Sequence, residues 1–551
     1  DVVAVQFTHP LFVVVGAAFL LRESVGIWRW LAVVVGCSSG EGPPPILEEK
    51  SSLPTALSTP TVTTEPDQNV VDMETTDEPT PLADPVPTPN ADYESVVAMA
   101  KIYQGVMSLS FQDHAGSGAR YAFEGFEEAR INNDTTMVPV VIGLLRYMPT
   151  ARMFDQAILT IKELTNQDLG SDIQDWPHWA EWLGQNLIDY PAPAGYIQLK
   201  RRFFSSIDEG FDLVLESATR KLVIHPFEIM WGGVPPDGIP SLEFPPTVAP
   251  GEQSYLRPDD RVFGVSINGE HRAYPLRIMN AHEMANDTLG SEPITLAYCV
   301  LCGTGIAFSR KFDGIESTFG TSGLLFQSNK VMYDRETLTL WHQGNGQPIS
   351  GDLTDMDLKL DFFPTLLTTW EEWLEEHPDT TVLSIETGVY PASNYQPEAD
   401  SRSIYYEYFK SPETMFPVPN QSGALQPKEV VLTLSIGDAR KAYQVEALNE
   451  VRLLNDSLAD TKVVVLASGK SQAARIYERG THQFSLISGN QSATALLRIV
   501  DEDGEEWTAT EDALINSESP DEKLVRIPTH YAFWFSWFAF NEETKLYRSG
   551  D

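Results

Sequence analysis

Part of this chain occurs twice, and that repetition constrains its fold more than any other feature. A shift of 169 positions brings Val262 onto Val431, Ser266 onto Ser435, Ile267 onto Ile436, Ala273-Tyr274 onto Ala442-Tyr443, Asn286-Asp287 onto Asn455-Asp456 and Phe308 onto Tyr477, without a gap. With small gaps, Trp370, Trp373 and Thr380 then match Trp534, Trp537 and Thr544. A repeated supersecondary unit buries its apolar face against its neighbour, so two related units packed side by side are expected.

The periodicity of each unit is that of a sheet. Phe263, Val265 and Ile267 alternate with Val262, Gly264 and Ser266, and Asn268-Gly269 supplies a two-residue hairpin turn before a second strand from His271 to Leu276. A short helix around Leu276 to Asn286, a strand from Ile294 to Tyr298, and turns at Asp313-Gly314 and Asp334-Arg335 follow. Between Tyr93 and Leu215 the period is helical, with Val138, Val141, Ile142 and Leu145, and again Ala157, Ile158, Ile161 and Leu164, at i, i+3, i+4, i+7. Trp176, Trp179 and Trp182 recur every third residue; such stripes are usually buried area, so core packing is preferred to a sugar-stacking surface. The predicted fold class is α+β multidomain: a small α-helical domain over 91–235, then a tandemly duplicated, mainly β domain with short helices, over 246–400 and 427–551.

Residues 1–37 read as a signal or anchor segment. Neither apolar run, Pro10 to Leu21 or Trp30 to Gly36, reaches the roughly 20 residues of a membrane-spanning helix. Val34-Val35-Gly36-Cys37-Ser38 resembles a bacterial lipobox with Cys37 as the lipid anchor, while the first 36 residues also resemble the tail of a drug/metabolite transporter repeat. The lipobox is preferred because a Pro/Thr/Glu-rich stretch over 38–90, too poor in apolar residues to fold, follows directly as a disordered tether. Both readings place the folded part beside a membrane, outside the cytoplasm in the lipobox case, at the periplasm or cell surface. Acidic residues outnumber basic ones 78 to 38, so the overall field repels phosphate backbones and excludes nucleic acid as a partner. A protein or glycan partner is open.

Six motifs in order, Ala273-Tyr274-Pro275-Leu276-Arg277, Asn280-Ala281-His282-Glu283, Asn286-Asp287, Tyr298-Cys299-Val300-Leu301-Cys302-Gly303, Gly320-Thr321-Ser322-Gly323-Leu324 and Met332-Tyr333-Asp334-Arg335-Glu336, resemble the family called domain of unknown function 3179. The resemblance covers Asp260 to about Ser384, with a weaker second copy. It implies bacterial or archaeal origin and frequent export, and it supplies no activity.

Chemistry is concentrated at Cys299 and Cys302. Their spacing lets two sulfurs converge while Gly303 permits the turn, and three uses fit: a transition-metal site, a redox dithiol and an inert disulfide. Gly303 to Phe308 reads as loop and strand, so no helix dipole is expected to lower a thiol pKa. A metal shell would be completed by His282, or less well by His342, with Glu283 behind it; two thiolates and an imidazole suit Zn(II) or Cu(I). The repeat bears on this choice. Cys299, Cys302, His282 and Glu283 become Ser468, Ser471, Val451 and Arg452 in the second unit, so the fold does not require them. Asp334 and Arg335 are weaker candidates for orienting a ligand, with a solvated hairpin turn as the preferred reading. Ser322 lacks a nucleophile elbow, and Asp501-Glu502-Asp503-Gly504 reads as an exposed acidic turn. The expected function is soft-metal binding, with thiol–disulfide exchange and a non-catalytic scaffold as alternatives.

Overall fold

The computed structural model describes residues 91–111, 117–487 and 496–550. Cys37, the transporter-like start and the 38–90 tether lie outside the described residues. Among the described residues no helix is long and apolar enough to cross a membrane.

Helices occupy the chain from Ala91 to Arg220. In Ala151–Thr165 the Thr150 hydroxyl accepts from Met153 N at 3.2 Å, satisfying one of the amides that every helix start leaves over, and Asn166 stops the helix in the left-handed region at φ 55°. Its apolar face, Ala157, Ile158, Ile161 and Leu164, lies in one core with Val138, Val141, Ile142 and Leu145, as the spacing predicts. Trp176 and Trp179 are buried in the same core, and Trp182 packs on Tyr190 with ring centroids 5.2 Å apart. The strand Ile229–Trp231 then pairs antiparallel with Leu324–Phe326, joining the helical region to the first β unit by backbone hydrogen bonds.

The first β unit opens on the hairpin Arg261–Ile267 and Glu270–Pro275. Asn268 and Gly269 both take positive φ, 52° and 79°, the conformation a two-residue turn of this twist demands. The helix that follows is Leu276–His282, shorter than expected. Glu283 at φ 58° ends it, and Met284–Leu289 is instead a strand paired with Glu292–Cys299. Glu292–Cys299 pairs in turn with Thr304–Ser309.

The second unit repeats this succession element by element: Val430–Ile436, Ala439–Gln444, the helix Val445–Val451, Leu453–Leu458, Thr461–Ala467 and Ala474–Glu478. Arg452, like Glu283, sits at positive φ and closes its helix. Side-chain contacts recur with the backbone. Tyr274 donates to Asp287 and Tyr443 to Asp456, each at 2.8 Å. Trp341 Nε1 donates to Asp334 and Trp507 Nε1 to Asp501, at 2.9 and 3.0 Å. Arg310 and Arg479 each bond a carbonyl, of Ile294 and Val463, at 3.1 Å. Trp373 and Trp537 each donate to a threonine seven residues on, at 2.8 Å.

The two units are interlocked. Strand His530–Phe533, from the end of the second unit, pairs with that unit's own Val430–Ile436 and also with Thr304–Ser309 of the first, through Tyr531 and Gly305. One sheet therefore runs from Leu242–Glu243 through both units to Lys545–Tyr547, and Tyr298, Phe263, Leu432, Tyr443 and Tyr531 share one apolar core.

Candidate functional site

Cys299 ends its strand opposite Thr304, and Val300 to Gly303 turn the chain between them. The two sulfurs are at bonding distance, with Cα atoms 5.4 Å apart. Gly303 is required twice over: its φ is 63°, and a Cβ there would lie 2.7 Å from the Phe533 ring. The turn leads into a strand, so the cysteines do not open a helix of their own, as the sequence indicated.

The pair is sealed. Cys299 and Cys302 are 2 and 1 % exposed, in an apolar cluster with Leu301, Leu325, Tyr408, Phe416, Val418, Phe533 and Phe535. Backbone acceptors of the turn are satisfied by the covering elements: Tyr408 Oη donates to Leu301 O at 2.6 Å, and Phe533 N donates to Cys302 O at 2.8 Å. Ser536, from the helix Trp534–Phe538, is 3.4 Å from Thr304 Oγ1 and donates to Asn329. Strand His530–Phe533 and the second unit's last helix thus cover the first unit's cysteine turn.

Beside the turn lies a buried ion pair that the sequence reading missed on one side. Lys330, 4 % exposed, donates to Tyr298 O at 2.8 Å, the carbonyl immediately before Cys299, and to Glu283 O at 3.0 Å. The Glu283 carboxylate, 7 % exposed, is 3.8 Å away. Burial pushes Lys330 down to about 8 and lifts Glu283 above the usual carboxylate range, each held partway back by the other's charge. A lysine followed by Val331 and Met332 in a buried strand was the available signal.

The histidines do not join the sulfurs. His282 is fully buried, with Nδ1 2.8 Å from Pro240 O and Nε2 2.7 Å from Tyr395 Oη. A carbonyl only accepts, so Nδ1 carries the proton and the Nε2 lone pair accepts from Tyr395. No lone pair is left for a metal in this arrangement. Burial lowers its pKa to about 4. His342 accepts from Asn345 N at 3.2 Å through Nδ1 and packs against Phe326 and Phe540. Its pKa is also lowered to about 4 by burial. Glu283 serves Lys330 and stands behind no ligand.

Asp334 and Arg335 differ from the solvated turn expected of them. Asp334 is fully buried and takes Trp341 Nε1, Thr337 N and Thr337 Oγ1; Asp501 takes the same tryptophan contact in the second unit and is 6 % exposed. Arg335 bridges Asp237 and Glu243, both at 3.0 Å. Ser322 is buried and donates to Val331 O.

Among the described residues, one group of three histidine, cysteine or acidic ligand atoms lies within 4.8 Å of one another: Glu376, His377 and Glu511. Its cation positions are already filled. Arg475, fully buried, bridges Glu376 at 2.7 Å and Glu511, and Arg526 also pairs with Glu511. Two guanidiniums balance two carboxylates, which makes this a closed ion network.

The second unit's equivalent turn shows what the frame does without the chemistry. Ser468 donates to Glu372 of the helix Trp370–Glu376 at 3.0 Å, and Ser471 lies 3.3 Å from Thr368. Here the first unit's closing helix covers the second unit's turn, the reverse of the arrangement at the cysteines. Pairing of Ile499 with Trp507 and of Met332 with Trp341 puts Leu497 where the first unit has Lys330. Cys299, Cys302, Glu283 and Lys330 are therefore replaced by Ser468, Ser471, Arg452 and Leu497, while the Asp–Trp, Asp–Tyr and arginine–carbonyl contacts stay. Asn449 bonds Ser471 O and Gly469 N; in the first unit Phe533 and Thr304 take Cys302 O, and both polar atoms of the buried Asn280 are left without a partner.

Fold and site together define a mixed protein, mainly β in its C-terminal region, with a buried cysteine pair at one strand-to-strand turn. The chain belongs to the family described as protein of unknown function (DUF3179), whose model matches residues 236–544. No curated protein and no solved structure is significantly similar to it.

Proposed function

We propose that the Cys299–Cys302 pair is a thiol–disulfide redox centre, built into the first member of a tandem-duplicated pair of β units. The observation that carries this reading is the sulfurs at bonding distance in a turn whose counterpart uses two serines in the same backbone frame. A bridge needed only to hold the fold would be needed in both. The chemistry balances with an external dithiol. One of its thiolates attacks a bridge sulfur, the internal S–S bond breaks, and its electron pair leaves on the other cysteine; attack by the second external thiolate on the mixed disulfide releases the first. Two electrons and two protons pass to the protein. With both sulfurs under Phe533, Phe535 and Tyr408, reaction follows displacement of that cover.

Soft-metal binding is the less supported reading, because both ring nitrogens of His282 are engaged and Nδ1 of His342 accepts from Asn345, which leaves the proton on the unpartnered Nε2. Anchoring through Cys37 outside the cytoplasm accompanies the redox proposal: the Val34-Val35-Gly36-Cys37 pattern supports it, and disulfides persist in oxidising compartments. Equilibration of the full chain in glutathione buffers, with thiol counting and elemental analysis of the reduced protein, tests the centre. A single two-electron transition that disappears in Cys299→Ser is expected. A bridge that no buffer reduces in the folded protein, or stoichiometric zinc or copper held by the reduced pair, overturns it.

A further inference from the structure

We infer that Lys330, held in place by Glu283, is the positioning residue that stabilises the thiolate formed when the Cys299–Cys302 bridge opens. The inference rests on the redox reading above and names the group that tunes it. Three observations support it. Lys330 is almost fully buried, and its Nζ is fastened to Tyr298 O and Glu283 O, 2.8 and 3.0 Å away, so the ammonium, supported by the Glu283 carboxylate at 3.8 Å, is held against the peptide that leads into Cys299. The second unit places Leu497 at the corresponding position, just before its strand Arg498–Val500, and ends the corresponding helix with Arg452, so neither partner of the ion pair is needed for the fold. A buried ion pair is retained against its desolvation cost, and it occurs in the unit that carries the cysteines.

The step in which it acts is the departure of the second cysteine. When an external thiolate forms its bond to one bridge sulfur, the S–S electron pair leaves on the other sulfur as a thiolate, and the ammonium bonded to Tyr298 O, one residue before Cys299, offsets that negative charge. A nearby cation lowers a thiol pKa and favours the reduced form of the pair. The groups facing Lys330 are few. Glu283 lies at the helix end, Met284 Sδ is 3.1 Å from Nζ, Tyr298 is on the neighbouring strand, and Tyr405 and Tyr408, on the segment joining the units, lie beyond Glu283 and Tyr298. The phenols are pushed well above their ordinary range by burial and stay neutral through the working pH range. Beyond Tyr298 lies a second ion pair, Arg261–Glu398, 2.7 Å apart, which the Lys330 variants leave in place.

Two readouts test the assignment on the full chain. The first is the equilibrium constant against glutathione, and the second is the pH profile of alkylation of the reduced pair by iodoacetamide. Lys330→Met is expected to shift the equilibrium about tenfold toward the disulfide, equivalent to about 30 mV, and to move the alkylation profile up by about one pH unit. Lys330→Arg is expected to restore both. The double variant Glu283→Gln/Lys330→Met, which leaves no lone buried charge, is expected to behave as Lys330→Met and serves if the single variant does not fold. Wild-type-like equilibrium and profile in the double variant overturn the role of Lys330 and leave the redox centre standing. A wild-type bridge that cannot be reduced removes the redox centre itself.

Discussion

At the scale of single residues, His282 shows how a motif residue can be legible in type and opaque in role. The sequence marks it as a ligand because it stands near two cysteines in an ordered set of motifs. Its actual partners are Pro240 and Tyr395, the latter relayed to Thr387 at 2.6 Å, and neither lies near it in the chain. Contacts across such separations leave no periodic trace, whereas the turn residues Asn268 and Gly269 act locally and were read correctly. The neutral imidazole carries a pH consequence. The folded pKa of about 4 lies below the unfolded value near 6.5, so the unfolded chain binds more protons between these limits. The stability from a neutral His282 is therefore complete above about pH 6.5 and is lost as pH falls toward 4, by about 3 kcal/mol. In urea unfolding measured from pH 7 to 4, His282→Gln is expected to lower stability at pH 7 by about 1 to 2 kcal/mol and to show a pH loss smaller by about one proton. An unchanged pH slope contradicts the assignment. Lys330 was missed for the opposite reason: a lone lysine in an apolar strand reads as an edge residue until its strand is seen to be internal.

At the scale of elements, the hairpins, the helix after each hairpin and the paired closing tryptophans were all visible in the repeat. The extra pairing of strand His530–Phe533 with Thr304–Ser309 was not, because strand order within a sheet depends on partners that local alternation does not name. That pairing fixes the cysteine turn by bringing Phe533 against Gly303. Gly303→Ala must therefore both hold an unfavourable φ and displace the Phe533 ring. A loss of about 2 to 4 kcal/mol in denaturant unfolding is expected. Gly423→Ala, where a Cβ meets nothing within 4 Å, is the control and is expected to change stability by less than about 0.5 kcal/mol. Equal losses at the two positions would show that the strand does not cap the turn as described.

At the scale of the whole molecule, the two units are joined into one body by a shared sheet. The first unit's closing helix covers the second unit's serine turn, and the second unit's closing helix covers the first unit's cysteine turn. Between them, Glu376 of the first unit meets Arg475 and Glu511 of the second in a buried network. Such charges cannot be left by one partner without leaving the other unpaired, so separation of the units is opposed by charge as well as by the shared sheet. The matched positions in the sequence made paired contacts such as Tyr274–Asp287 and Tyr443–Asp456 legible. The reciprocal capping was hidden, since Glu372 and Ser536 occupy equivalent places with unlike side chains, and only their positions show the symmetry. On the redox reading proposed above, the second unit covers and supports a centre that the first unit alone carries.

The most direct measurement of that division is to give the first unit the second unit's turn, with Cys299→Ser/Cys302→Ser, and to follow denaturant unfolding together with redox titration. A four-residue loop contributes about 2 kcal/mol or less as a bridge. The double variant is therefore expected to fold with the stability of the reduced wild-type chain, within about 1 kcal/mol, and to lose the two-electron couple completely. A variant that fails to fold while the reduced wild type stays folded would contradict the account, because the cysteines would then be serving the fold.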